Sequence, residues 1–131
     1  MKHPPSQTAA PRVLLIEDDP VFQSIIERVG ALAGISIQSF ASANAIDISQ
    51  LEQFDVAICD YETDGLTGLQ TSILLRRYAP SLPVLIISAY RKVRGMKNDD
   101  PANSFLHKSA GPQRILSVAL ELQGQRGKKG N

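Results

Sequence analysis

The stretch FDVAICDYETDG, residues 54–65, decides the fold. A short apolar run at residues 56–59 ends at the carboxylate of Asp60, and acidic and turn-forming residues follow at once. Such a run, rich in branched residues, is typical of a strand that is buried on both faces of a parallel sheet. Asp60 is then expected at the carboxyl end of the strand, where open parallel sheets bind ligands.

Composition excludes several classes of protein. The 131 residues, 43% of them hydrophobic, are enough for one domain with a real core. A net charge of +1 lacks the strongly basic character that is typical of proteins that bind nucleic acids directly. The single cysteine, Cys59, excludes a disulfide framework and favours a reducing compartment. No apolar stretch reaches the roughly 18 residues of a membrane span, and residues 1–10 lack the apolar segment of a signal peptide, so a cytoplasmic protein is expected.

Strand and helix patterns alternate along the chain. The predicted strands are residues 12–16, 35–40, 56–59, 83–87 and 104–107. The predicted helices are 20–34, a weaker one at 42–52, a third from Leu66 to Pro80 with Leu69 and Ile73 on its apolar face, a fourth within 90–103, and a last one around 115–122. Asp19 and Pro20 are a typical helix start. Gly95 and Pro101 predict that the fourth helix is short or irregular.

Five alternating strand and helix segments predict an α/β fold with helices on both faces of a parallel sheet. The flavodoxin-like (βα)5 three-layer sandwich, with strand order 2-1-3-4-5, fits this pattern. The predicted domain spans residues 11–123. Residues 1–10 and 124–131 are expected to be flexible tails.

This strand order brings polar side chains to one edge of the sheet. Glu17 and Asp18 follow strand 1, Asp60 ends strand 3, Ser88 follows strand 4 and Lys108 follows strand 5. Each residue alone has a plain structural explanation as a turn former, cap or surface charge. Their conjunction at one edge favours a functional site.

The chemistry of this set is coherent. Clustered carboxylates repel one another, and a hard divalent cation such as Mg²⁺ relieves that repulsion. An ionised Asp60 can attack a phosphoryl group and form an acyl phosphate, and Lys108 can pair with a phosphate oxygen. Ser88 can donate a hydrogen bond that exists only when the phosphoryl group is present.

Over about residues 11–123 the chain resembles a response-regulator receiver domain of two-component signalling. By that resemblance Asp60 is the phospho-acceptor, Ser88 and Phe105 form the conformational switch, and Lys108 is the lysine of the site. The matching residues are VLLIEDDP at 13–20, Asp60 with Gly68 after it, Ser88 with Ala89, and FLHK at 105–108.

The resemblance also implies a magnesium site and a function. Asp18 and Asp60 would bind Mg²⁺ directly, Glu17 through water, and Glu62 by its backbone carbonyl. The implied function is that of a single-domain response regulator, a signalling protein rather than an enzyme, which accepts a phosphoryl group on Asp60. The expected partners are a sensor histidine kinase and a downstream or phosphotransfer protein, with the chain a monomer or weak homodimer.

Several positions depart from the family pattern. Asp64 stands where a proline is frequent, and with Glu62 it predicts tighter metal binding and a less favourable phosphoryl dianion. Ser109 replaces a proline that often follows the lysine, so a cis peptide is not expected there. Bulky side chains at Glu62 and Tyr90 predict slow loss of the phosphoryl group, because water must pass them.

Two other functions stay open. The departures at Asp64 and Ser109 and the weak fourth helix motivate a pseudo-receiver, a binding module that works without phosphorylation. An unrelated Mg²⁺-dependent hydrolase with an Asp nucleophile would need a second acid two residues later, and Glu62 occupies that position. His3 and His107 have no ligand spacing around them, so neither is predicted to bind metal or carry phosphate.

Overall fold

The computed structural model describes residues 10–63, 66–89 and 103–129. A five-stranded sheet forms its centre, with all pairings parallel and the strand order β2-β1-β3-β4-β5. The predicted flavodoxin-like α/β fold is therefore confirmed. The strands are β1 (Arg12–Ile16), β2 (Ser36–Phe40), β3 (Val56–Asp60), β4 (Val84–Ser88) and β5 (Asn103–His107).

The described residues contain three α-helices, α1 (Pro20–Leu32), α2 (Gly68–Tyr78) and α3 (Pro112–Lys129), and three short 3-10 segments. The α-helix expected over residues 42–52 is wrong, because two 3-10 segments, Ala43–Ala45 and Ile48–Gln53, take its place. Asp47 separates them, since its side chain accepts from the amide of Ser49 and caps a new segment. The expected fourth helix falls almost entirely on residues 90–102, which lie outside the described residues.

Helix α1 begins and ends as the sequence predicts. Asp19 Oδ1 accepts a hydrogen bond from the amide of Val21 at 2.9 Å, and Pro20 occupies the first helical position. After the helix, Gly34 adopts φ +78°, a left-handed conformation that glycine reaches without a steric penalty.

Helix α2 lies at the predicted place but is rotated from the predicted face. Ile73, expected to be buried, is 61% exposed, whereas Thr71, Ser72 and Leu75 are buried. At the start of the helix Gly68 lies against the end of β3, so close that a Cβ there would be 2.7 Å from Tyr61 Cα. This approach depends on tertiary packing, which the apolar spacing of the sequence does not contain.

Two apolar layers enclose the sheet, because alternate residues of each strand point to opposite faces. On one face α1 and α3 pack on β1, β3 and β4, with these buried residues at the centre: Val13, Leu15, Ile26, Val56, Ile58, Leu85, Ile87, Ile115 and Ala119. On the other face α2 and the segment Ile48–Gln53 pack on the same strands through Leu14, Ile16, Leu51, Ala57, Cys59, Leu75, Leu82, Val84 and Ile86.

Helix α3 runs to Lys129 and takes in Gly124. The sequence places the end of the domain at residue 123 and predicts a flexible tail from 124, so the observed helix extends past that boundary. The carboxyl ends of β1, β3, β4 and β5 meet at one edge of the sheet, as the strand order requires.

Two glycines of the helices should respond to alanine in opposite ways. A Cβ on Gly68 would lie 2.7 Å from Tyr61 Cα and 3.2 Å from Asp60 O, whereas a Cβ on Gly124 would meet nothing within 4 Å. We expect Gly68→Ala to lower the free energy of unfolding by about 1–3 kcal/mol through overpacking. Gly124→Ala should raise it by about 0.5–1 kcal/mol, because alanine favours the helix. Urea denaturation measures both, and a tolerated Gly68→Ala would contradict the close approach.

Candidate functional site

One lysine joins two buried carboxylates at the carboxyl edge of the sheet. Lys108 Nζ lies 2.9 Å from Glu17 Oε1 and donates a hydrogen bond to Asp60 Oδ2 at 3.1 Å. The carboxylates come from the ends of β1 and β3, which are neighbours in the sheet, and Lys108 follows β5. The structure thus brings together three of the residues that the sequence assigns to the site.

Glu17 is held in place from several directions. Its amide donates to Phe40 O at 2.9 Å, which continues the pairing of β1 with β2. Its Oε2 accepts from the amide of Asp19 at 3.1 Å, and its carbonyl accepts from Gln23 Nε2. Glu17 is 0% exposed, so its carboxylate is fixed and shielded from bulk solvent.

Asp60 is the last residue of β3 and is 6% exposed. Its Oδ1 accepts from the amide of Glu62 at 3.2 Å, and its Oδ2 accepts from Lys108. The chain then turns back: Gly68 N donates to Tyr61 O at 2.7 Å, and Glu62 pairs with Thr67 in an antiparallel bridge. These contacts fix the backbone on both sides of the Asp60 loop.

Burial and charge act in opposite directions on this ion cluster. Burial raises the pKa of Glu17 to about 7; the nearby Asp60 adds to the rise, and the contact with Lys108 opposes it. Burial alone would lower the pKa of Lys108, but its bonds to Glu17 and Asp60 outweigh that effect and raise it. Lys108 therefore stays charged, whereas Glu17 titrates near neutrality.

Three carboxylates form a group that can hold a cation. One oxygen each of Glu17, Asp18 and Asp60 lie within 4.8 Å of one another, and Asp18 is the exposed member. When Glu17 is ionised, the three carboxylates beside one ammonium leave an excess of negative charge. An all-oxygen donor set of this charge suits a hard divalent cation such as Mg²⁺. The side chain of Glu62 is exposed, and a ligand role for its carbonyl stays a prediction.

Ser88 and Phe105 lie on the two strands that follow β3 in the sheet. Ser88 is 0% exposed and ends β4, one residue past Ile87, which is the strand partner of Asp60. Phe105 is half-buried on β5 and packs against the apolar layer that contains Cys59. Asp64 and Tyr90, the other residues to which the sequence gives a part, lie outside the described residues.

Sequence reasoning missed Phe22, which contacts the cluster. Its ring centroid lies 4.6 Å from Lys108 Nζ, a cation–π contact that adds a third partner to the lysine. In the sequence, Phe22 is recognisable only as an apolar residue of α1, and no pattern of spacing predicts its contact with Lys108. Cys59 lies next to the cluster, but burial raises the pKa of its thiol to about 12, which makes it inert.

The peptide bonds around Lys108 also agree with the sequence. No cis peptide occurs in the described part of the chain, so Lys108 and Ser109 are joined in the ordinary trans form.

Within the same residues, no helix is long and apolar enough to cross a membrane.

Comparison with known proteins gives a family. A family model described as the response regulator receiver domain matches residues 13–120, most of the chain. The sensor protein GacS of Pseudomonas syringae pv. syringae is 26% identical over 92% of this chain. The response regulator protein FleR of Pseudomonas aeruginosa is 34% identical over 64% of it. The match spans only 14% and 18% of the lengths of these relatives.

Solved structures share the fold. A CheY-like response regulator receiver domain protein from Methanospirillum hungatei JF-1 superposes with a TM-score of 0.79 at 16% identity, covering 92% of this chain and 99% of the other. The signal receiver domain of the response regulator NarL from Mycobacterium tuberculosis gives a TM-score of 0.72 at 24% identity, with 88% and 97% covered.

The raised pKa of Glu17 predicts how stability depends on pH. Between pH 4.5 and about 7 the folded chain keeps a proton on Glu17 that the unfolded chain has released. The free energy of unfolding should therefore fall as pH rises through this window. We expect Glu17→Gln to flatten that fall in urea denaturation at pH 5–8 with EDTA.

The matched control is Glu121→Gln, the same chemical change at an exposed position of α3. It should keep the wild-type dependence on pH. If Glu17→Gln and the wild type lose stability equally across the window, the assignment of the raised pKa to Glu17 is wrong.

Proposed function

The chain belongs to the response regulator receiver domain family, and we propose that it accepts a phosphoryl group on Asp60 in a Mg²⁺-dependent reaction. The proposed donor is a sensor histidine kinase, and the phosphorylated domain then acts on a downstream or phosphotransfer protein. The observation that supports this proposal best is the ion cluster, in which Lys108 contacts both Glu17 and Asp60.

The proposed reaction is a transfer between two nucleophiles. A carboxylate oxygen of Asp60 attacks the phosphorus of a phosphohistidine, an O–P bond forms, and the N–P bond breaks. The electron pair of that bond returns to the imidazole of the kinase, which takes up a proton. Asp60 suits this role better than Glu17, because Asp60 is 6% exposed whereas Glu17 is fully enclosed.

Lys108 would neutralise the incoming group. Its Nζ already lies 3.1 Å from Asp60 Oδ2, so a phosphoryl oxygen bound to Asp60 comes within reach of the ammonium. Because the pKa of Lys108 is raised, the ammonium is present throughout the physiological pH range. Glu17 and Phe22 hold the same nitrogen and limit the directions in which it can move.

Mg²⁺ fits the donor set described above and would neutralise charge on the transferring group when bound. Asp18 and Asp60 would hold it directly, Glu17 through water, and Glu62 through its carbonyl. Two backbone amides position the carboxylates. The amide of Glu62 fixes one oxygen of Asp60, and the amide of Asp19 fixes one oxygen of Glu17.

Ser88 and Phe105 are the proposed switch. Ser88 ends β4 beside the Asp60 strand, so its hydroxyl can approach a phosphoryl group there. A hydrogen bond formed only in the phosphorylated state would bias the site toward a second conformation. Phe105, half-buried on the next strand, would follow that change at the surface.

Phosphorylation of Asp60 is tested with acetyl phosphate as a chemical donor. We expect Mg²⁺-dependent gain of one phosphoryl group in the intact mass of the wild type and no gain for Asp60→Asn, which lacks the nucleophilic oxygen pair. Asp55→Asn is the matched control, because Asp55 lies just before the opposite end of the same strand, where it accepts from the amide of Arg12. It should still be labelled.

Two outcomes would contradict the proposal. Labelling that persists in Asp60→Asn would place the acceptor elsewhere. A folded wild type that takes up no phosphoryl group, yet still captures a partner, would favour the pseudo-receiver, a binding module independent of phosphorylation.

The phosphoryl group is expected to persist, because the bulky side chain of Glu62, two residues after Asp60, would hinder the approach of water. Glu62→Ala should speed the loss of label by about threefold or more in the absence of any phosphatase. The half-life of the acyl phosphate after removal of donor measures this. Equal half-lives of the variant and the wild type would show that Glu62 does not control access.

A further inference from the structure

We propose that His107 is a positioning residue that ties the segment after Ser88 to the turn that carries Lys108. The inference rests on the proposed function, in which Ser88 and Lys108, the neighbours of the two residues that His107 contacts, hold a phosphoryl group. It assigns a role to a side chain that the sequence leaves without one.

Both ring nitrogens of His107 are occupied. Nε2 lies 2.8 Å from the carbonyl oxygen of Ala89, which is eighteen residues earlier in the chain and directly follows the neighbouring strand, β4. Nδ1 accepts from the amide of Ser109 at 3.0 Å and lies 2.7 Å from its hydroxyl. The imidazole thus connects the residue that follows β4 with the turn that follows β5.

The partners fix the tautomer. A backbone amide only donates, so Nδ1 must be the unprotonated nitrogen that accepts from Ser109. A backbone carbonyl only accepts, so Nε2 must carry the proton that is donated to Ala89. The neutral imidazole with its proton on Nε2 satisfies both contacts at once.

The position of the ring makes this contact relevant to the site. Ser88 and His107 are direct strand partners, and the next residues along each strand are Ala89 and Lys108. The Nδ1 contact caps the 3-10 segment Lys108–Ala110, which sets the direction in which the lysine leaves the backbone. The Nε2 contact holds the carbonyl of Ala89, the residue after Ser88.

A simple turn cap does not explain both contacts. An asparagine at 107 could accept from the amide of Ser109, as such side chains do two residues before an amide in turns. It would be too short to reach Ala89. Only a side chain with a second polar atom farther out can hold Ala89 and Ser109 together, and histidine provides this with a rigid ring.

The tautomer is tested first, on the unphosphorylated protein. The chain has two histidines, so His3→Asn leaves His107 as the single source of ring signals. We expect long-range ¹H–¹⁵N spectra at pH 8 to show a protonated Nε2 and an unprotonated Nδ1. A proton on Nδ1, or equal averaging of the two neutral tautomers, would overturn the proposal.

The positioning role is tested with acetyl phosphate and Mg²⁺. We expect His107→Asn to label about tenfold more slowly than the wild type, a loss typical when a residue that orients a site is changed. Its melting temperature should stay close to that of the wild type, because the turn cap is kept. Ser109→Ala, which keeps the backbone amide, is the matched control and should label at the wild-type rate.

His107→Gln gives a second, independent reading. Its longer side chain places an amide N–H near the position of Nε2, so labelling should recover at least partly compared with His107→Asn. Wild-type labelling in His107→Asn, or no recovery in His107→Gln, would contradict the proposal. Equal slowing in Ser109→Ala and His107→Asn would also contradict it, because the turn alone would then matter.

The two sets of data separate this inference from the function on which it rests. If the wild type is labelled and His107→Asn is labelled equally fast, the positioning role fails and the proposed function stands. If the wild type takes up no phosphoryl group, the proposed function fails and the positioning role falls with it, whatever tautomer the ring shows.

Discussion

The structure depends on keeping two carboxylates side by side where solvent is almost absent. Glu17 and Asp60 end neighbouring strands, so the strand order itself forces their charges together. Lys108 offsets this cost by contacting both, and it is held in turn by Phe22. A buried carboxylate pair without such a cation would be protonated or expelled from the fold. The ion cluster is therefore both a structural requirement and a concentration of charge that suits phosphoryl chemistry.

The backbone around this cluster is fixed mainly by main-chain contacts. The amides of Asp19 and Glu62 hold one oxygen of each carboxylate, and Gly68 lies close to Tyr61 where the chain returns after Asp60. These contacts place the acidic groups before any ligand arrives, so little conformational entropy would be lost when one binds. They also explain why a small residue must stand at the start of α2.

Much of this could be predicted from the sequence because the signals are local. Unbroken apolar runs mark strands buried on both faces, and the polar residue at the end of each run, a carboxylate for β1 and β3, marks the edge where they end. The rotation of α2 away from Ile73, the division of residues 42–52 into 3-10 segments, and the contacts of Phe22 and His107 could not. The rotation of α2 and the contacts of Phe22 and His107 depend on packing between segments that are far apart in the sequence, which apolar periodicity does not encode. The 3-10 segments depend on the side-chain cap that Asp47 provides, which that periodicity does not contain either.

The most direct measurement is chemical mapping of the acyl phosphate. After reaction with acetyl phosphate and Mg²⁺, borohydride reduction converts an aspartyl phosphate to homoserine, and peptide mass spectrometry locates the changed residue. We expect homoserine at position 60 alone, with the three other acidic residues of the site, Glu17, Asp18 and Glu62, unchanged. Homoserine at another aspartate, or phosphate retained on Ser88 or His107 instead, would contradict the central claim that the buried ion cluster makes Asp60 the acceptor.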